Sequence, residues 1–229
     1  MNIRKISVVL CVFLLVAIIM VPVVSAGIVG TLPEQSSDQF MEWAYSMEGK
    51  EVTAGQCLEK NAPGYWANLS DEQKKAYTET VVVLPDFHKF KQDTSVVSAP
   101  SSNPDTSSQD PKALAVIVYM ATANSGTGAI PYGINYWAST ANTCNGAPCA
   151  FPVTNIIADL MRWDGSKWVR ADGGTQTGYY TSFVEVWKNK FFPASGYYST
   201  FSQHYGDFPP GATPPAYYLS RWSNTVYYS

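Results

Sequence analysis

"VTNIIADLMRWDGSKWV" occupies Val153 to Val169 and sets the fold class. Asp164-Gly165 is a hairpin dipeptide, the run before it reads as a strand, and Trp168 begins the return. Once this hairpin is fixed, its neighbours read as strands too. "ALAVIVYMAT", from Ala113, is apolar on both faces and suits a central strand. "YGINYWAST", from Tyr132, is the next, and "GYYTSFVEVWKNKF", from Gly178, alternates along its whole length as one strand. "SGYYSTFSQHYG" (Ser195–Gly206) and "AYYLSRWSNTVYYS" (Ala216–Ser229) complete the set. About seven short strands with Gly, Pro and Asp turns across residues 112–229 predict a mainly-β fold, an immunoglobulin-like β-sandwich.

The chain before it has another character. Residues 27–90 read as a small acidic helical region. "SSDQFMEWAYSMEG" places Phe40, Trp43, Ala44 and Met47 on one helical face. Thr53 with Gln56, and Ser70 with Gln73, are capping-box pairs that predict two further helix starts. Pro63-Gly64 is read as a stop, and the β-branched run Val81–Val83 should leave the helix. Residues 91–111, "KQDTSVVSAPSSNPDTSSQDP", are rich in Ser, Pro and Asp and lack aromatics, which predicts a disordered linker.

The first 26 residues have the three parts of a secretory signal: Arg4 and Lys5, an apolar run from Val8 to Val24, and the small-residue pattern Val24-Ser25-Ala26. An uncleaved anchor is the alternative, and it is the one route to a membrane in this reading. Removing the segment takes 15 basic side chains to 13 against 18 acidic, a net charge of −5. That balance argues against nucleic acid as a partner, since phosphate binding needs a basic face. The expected location is secreted or cell-surface.

Three cysteines remain. "TCNGAPC" turns at Asn145-Gly146, so Cys144 and Cys149 can meet and should form a disulfide outside the cell. Neither has metal-ligand spacing with Cys57, His88 or His204, so no metal site and no cofactor is expected. Cys57, near a helix start, could be a nucleophile with His88 as its base, a thiol enzyme, although "AGQCLEK" carries no family signature. His204 is read as a half-exposed strand histidine on the less apolar face, beside Thr200 and Ser202, and Tyr197 as the buried ring opposite. With no phosphate loop, paired-carboxylate motif or nucleophile elbow, no catalytic residue is assigned. Asn68-Leu69-Ser70 is a glycosylation sequon.

Through "LMRWDGSKWV", and "SGYYSTFSQHYG" ahead of a last strand, the organisation resembles secreted β-sandwich proteins of bacteria and archaea that have no assigned function. That resemblance carries no functional residue. The aromatics say more: 23 of the chain's 32 Phe, Trp and Tyr lie in residues 111–229, several as adjacent pairs such as Tyr197/Tyr198 and Tyr217/Tyr218. The pleat sends one ring of each pair to each face, so one sheet face must be exposed or covered by the helices. The leading expectation is a structural or interaction module of an envelope or extracellular assembly, with an envelope protein or a glycan as partner. The alternative is a carbohydrate-binding module using exposed rings from Trp163, Trp168, Trp187 and Trp222. A thiol enzyme at Cys57 is the third.

Overall fold

The computed structural model describes residues 29–30, 37–90 and 117–229. The signal-like segment and the linker lie outside the described residues, as do residues 113–116 of the first sandwich strand. The fold is mainly β: two antiparallel sheets packed face to face, with a small helical region ahead of them in sequence and a helical layer on one side.

The helical layer follows its capping signals. Helix α1 spans Ser37–Ser46. The Thr53 hydroxyl accepts from the Gln56 N–H while the Gln56 side chain accepts from the Thr53 N–H, which starts α2, Ala54–Asn61. This helix ends just ahead of Pro63, as expected, but the chain then starts a further helix, α3, Pro63–Asn68, with Pro63 in its first turn, where the missing N–H costs nothing. Ser70 and Gln73 form the second capping box and start α4, Asp71–Glu79. The valines then leave the helix as expected: Val81–Val83 (β3) pairs with Glu51–Thr53 (β2) in a two-stranded ribbon.

The larger sheet contains β1 (Val29–Gly30), β7 (Phe151–Trp163), β8 (Trp168–Thr181), β10 (Gly196–Asp207), β11 (Ala216–Trp222) and β12 (Val226–Tyr228). Its order is β1-β8-β7-β10-β11, with β12 also beside β10. The smaller sheet contains β4 (Tyr119–Ile130), β5 (Gly133–Cys144), β6 (Ala147–Pro148) and β9 (Phe183–Phe191), with β4 and β9 on either side of β5. The hairpin read from Asp164-Gly165 joins β7 to β8, with Trp163 opposite Trp168. Cys144 and Cys149 are bonded across the β5–β7 connection, their Cα atoms 5.6 Å apart, with Asn145 and Gly146 at positive φ in the turn.

Two sequence expectations need correction. The stretch from Gly178 is not one strand. It breaks at Ser182, with Tyr180 at φ 50 and the Thr181 hydroxyl accepting from the Phe183 N–H, and the chain changes sheets. Alternation continues through the break, so periodicity alone does not reveal it. The last stretch is likewise two strands, β11 and β12, separated by Ser223–Thr225; the Ser223 N–H donates to the Thr200 carbonyl and its hydroxyl accepts from the Thr200 N–H.

The larger sheet is buried on both faces. Towards the smaller sheet it presents Ile156, Ala158, Leu160 and Tyr198, which meet Ile134, Tyr136, Ala138, Val184 and Val186. Its other face is covered by the helical layer in one continuous core, where Phe40, Leu58, Tyr77 and Phe87 meet Met161, Trp168, Phe201, Tyr205, Tyr218 and Trp222. Phe87 is the centre of this seam. It lies edge-on to Tyr45, Phe201 and Trp222, at centroid distances of 5.3, 5.7 and 5.9 Å, and its carbonyl accepts from the Trp168 N–H. The Trp168 indole donates to the Lys89 carbonyl.

Polar ties reinforce the seam. Arg170 on β8 donates to buried Asp159 at 2.7 Å and lies 3.3 Å from Asp38 on α1. Tyr65 donates to Asp207, and Tyr77 to the Gly206 carbonyl. Lys188 of β9 points into the sandwich and donates to the Gly173 carbonyl at 2.7 Å. Replacing Phe87 with Ala should therefore cost about 3–5 kcal/mol, the range for an aromatic lost from a packed core. Urea unfolding followed by tryptophan fluorescence measures it; a loss under about 1 kcal/mol would show that the helical layer is not held through this ring.

Candidate functional site

The residues singled out from the sequence fall into three environments. His204 is in the interior, with no exposed surface. This corrects the half-exposed reading: His204 faces the smaller sheet, beside Thr140, while the helical layer covers the opposite face with Phe201 and Tyr205, so both faces of β10 are dry. Tyr197 and Tyr198 exchange roles for the same reason. Tyr198 is buried, donating to the Ala194 carbonyl, while Tyr197 is 43% exposed near the sheet end.

His204 belongs to a polar seam between the two sheets. Its Nδ1 is 2.8 Å from the Thr140 hydroxyl and its Nε2 is 2.8 Å from the Ser202 hydroxyl. Thr127, Thr200 and Ser223 share hydroxyl bonds further along, and Asn142 donates to Thr154. Burial pushes His204 down to about 3, with the Arg221 charge acting in the same direction, so the imidazole is neutral at pH 7. Asp207, the nearby carboxylate in sequence, is engaged with Tyr65. The seam holds the two sheets together through hydroxyl and amide bonds.

Cys57 is also fully buried, in the core of the helical layer. Burial pushes its thiol up to about 12, against a smaller opposing effect of its hydrogen bond with Tyr218. The helix-start argument for a thiolate fails here, because removal from water outweighs the helix end. The structure does not pair Cys57 with His88. His88 is exposed, and its Nδ1 lies 2.6 Å from Glu48 Oε2. Glu48, Asp86 and His88 form the cluster whose ligand atoms, within 4.8 Å of one another, could hold a metal ion among the described residues. The His88 N–H donates to both carboxylates, so the cluster is also bonded within itself. Asn68 is exposed at the end of α3, with its side-chain amide donating to the Gly64 carbonyl.

The tryptophans divide sharply. Trp168 is 0% and Trp222 3% exposed, and Trp163 is half-buried against Trp168. All three belong to the seam under the helices, which removes them from the expected binding surface. Trp187 alone of the four is open, at 59% exposure. Directly across the β5–β9 pair stands Trp137, which the sequence reading did not single out. The two indoles are parallel to within 9°, with centroids 6.5 Å apart. Gly126 explains the pose: it faces Trp137 on β4, and a Cβ there would run into the indole, so the ring lies over the glycine instead of standing upright.

This outer face of the smaller sheet is uncovered among the described residues. Beside the tryptophans, Asn135 and Asn189 face each other and share a bond of 3.0 Å, and Ser139 faces Glu185 on the other side. The result is an aromatic platform of two parallel indoles with amides and one carboxylate around it. The available signal in sequence was "GTGAIPYGINYW", where Gly126 and Gly128 on β4 fall in register with Trp137 and Asn135 of β5. Compared with known protein families, curated proteins and solved structures, the chain matches none.

The titration of His204 gives a test. Between pH 6.5 and about 3 the unfolded chain binds a proton that the native imidazole refuses, so native stability falls as pH drops through this window. Asp159, raised to about 6 by burial against the pull of Arg170, acts oppositely: the native carboxyl takes its proton first, so its effect on stability grows as pH falls below 6. Replacing His204 with Gln isolates the first effect. The variant should be less stable at pH 7 by about 1–3 kcal/mol, having lost part of the bonding to Thr140 and Ser202. Its deficit should shrink at about pH 5, by roughly 1 kcal/mol per pH unit at most. Urea unfolding at both pH values checks this; an unchanged deficit means that His204 titrates as it would in water.

Proposed function

We propose that this chain is a secreted or cell-surface module that binds glycan through the outer face of its smaller sheet. The observation that carries the reading is the parallel Trp137–Trp187 pair, with Trp187 open and Trp137 half-buried beside it, on a sheet face that the helical layer leaves uncovered. An indole face is electron-rich and apolar, and the C–H face of a pyranose ring is its complement. Asn135, Asn189 and Glu185 supply donors and acceptors at the rim for sugar hydroxyls. The signal-like first 26 residues and the Cys144–Cys149 bond support an oxidising, extracellular setting.

A protein-binding role in an envelope assembly is the second reading, supported by the bare rings at one end of the same sheet. Tyr132 and Phe192 are 72% and 79% exposed, both at positive φ, with ring centroids 6.3 Å apart. A non-glycine residue in that conformation costs about 1–2 kcal/mol, so an exposed aromatic kept there calls for a use.

Trp137→Ala and Trp187→Ala separate the readings. Each should weaken retention on the polysaccharide that the wild type binds by about tenfold or more, with the unfolding midpoint of Trp187→Ala unchanged, because that ring is open. Affinity electrophoresis through a panel of soluble polysaccharides, with pull-down on insoluble ones, makes the measurement. Binding that survives both substitutions would place the glycan elsewhere; no binding across the panel, with capture of the wild type by an envelope protein fraction, would favour the second reading.

A further inference from the structure

The glycan reading can be carried further along β9. Its outward side chains are Phe183, Glu185, Trp187, Asn189 and Phe191, an aromatic at every second outward position with a polar side chain between. All five are exposed. Four residues of strand separate consecutive rings by about 13 Å, so the three rings span about 26 Å in a line. The positions opposite the two phenylalanines are small, Ala141 for Phe183 and Gly133 for Phe191, so no bulky side chain walls in the ends of the row. A ligand lying on it meets ring, polar group, ring, polar group, ring.

Charge narrows the ligand. Glu185 is the single charged side chain among the outward positions of β4, β5 and β9. Lys188 and Lys190, the basic residues of β9, belong to its inward set. An anionic polymer laid along this face would meet a carboxylate and no cation, on a chain with a net charge of −3. An uncharged polymer meets amides and one acceptor.

Resting on the glycan reading above, we infer that the ligand is a neutral, extended polysaccharide chain that runs parallel to β9 from Phe183 to Phe191. The Trp137–Trp187 pair grips its centre. The phenylalanines add contacts that a short sugar cannot reach.

The test is length dependence. Isothermal titration of the full chain with linear neutral di-, tetra- and octasaccharides of the polysaccharide retained best in electrophoresis should show affinity rising about tenfold or more from the shortest to the longest. In a Phe183→Ala, Phe191→Ala double variant the ratio between the longest and shortest should fall towards one. Equal affinity at all lengths, with the double variant like wild type, overturns the track and leaves the tryptophan platform standing. Absence of binding at every length overturns the track together with the platform beneath it. An anionic polysaccharide bound as tightly as the neutral one overturns the neutral assignment. If sedimentation shows a dimer that Trp187→Ala dissolves, and no sugar binds, the face belongs to a second copy of the chain and the inference fails.

Discussion

Strand β10 carries large side chains on both faces, so both faces must be kept from water. Tyr198 points to the smaller sheet, while Phe201 and Tyr205 point the other way, and all three are buried. A two-layer sandwich would leave the second set wet. The helices supply the missing layer, with Phe87 packed against Phe201 and Trp222 and with backbone bonds fixing Trp168 from the same segment. The core is therefore continuous from helix to sheet, and the helical layer is part of the sandwich's stability. Because the helices are spent on the larger sheet, the smaller one keeps an open outer face, and that is where the parallel tryptophans lie.

The polar seam at the sheet–sheet interface solves a different problem. Apolar faces can slide over one another with little penalty, whereas hydroxyl and amide bonds are satisfied in few registers. Thr140 with His204, Thr127 with Thr200, and Asn142 with Thr154 each join residues from different strands at fixed positions. His204 suits this because a neutral imidazole can donate at one nitrogen and accept at the other. A cation there would have to be desolvated beside Arg221, which explains the direction of its titration.

Much of this was legible in the sequence, and the failures have physical causes. The Asp164-Gly165 hairpin, both capping boxes and the escape of Val81–Val83 from the helix are local chemistry, so local reading finds them. Burial of β10 on both faces is not local. Alternation of Tyr197, Ser199 and Phe201 against Tyr198, Thr200 and Ser202 marks two faces but not what covers each. The parallel tryptophan pair was half legible: Trp187 stands in an alternating strand, but Trp137 becomes its partner through the β5–β9 register, across about fifty residues of chain. The break at Ser182 escaped because a Thr-Ser corner lacks the Gly or Pro that marks a turn.

The inward course of Lys188 has a further meaning. Among the described residues β9 pairs with β5 alone, so one side of its backbone offers unpaired N–H and C=O groups. A strand studded with Phe, Trp and Phe, left open in that way, would invite strands from other molecules to add on, and a ribbon of copies could grow. Lys188 turns its long stem under the strand to reach the Gly173 carbonyl. An inward-pointing charge on an edge strand is a device that discourages another strand from adding on. The placement of Lys188 fits that device, set on the same strand that carries an aromatic row at the margin of a sheet.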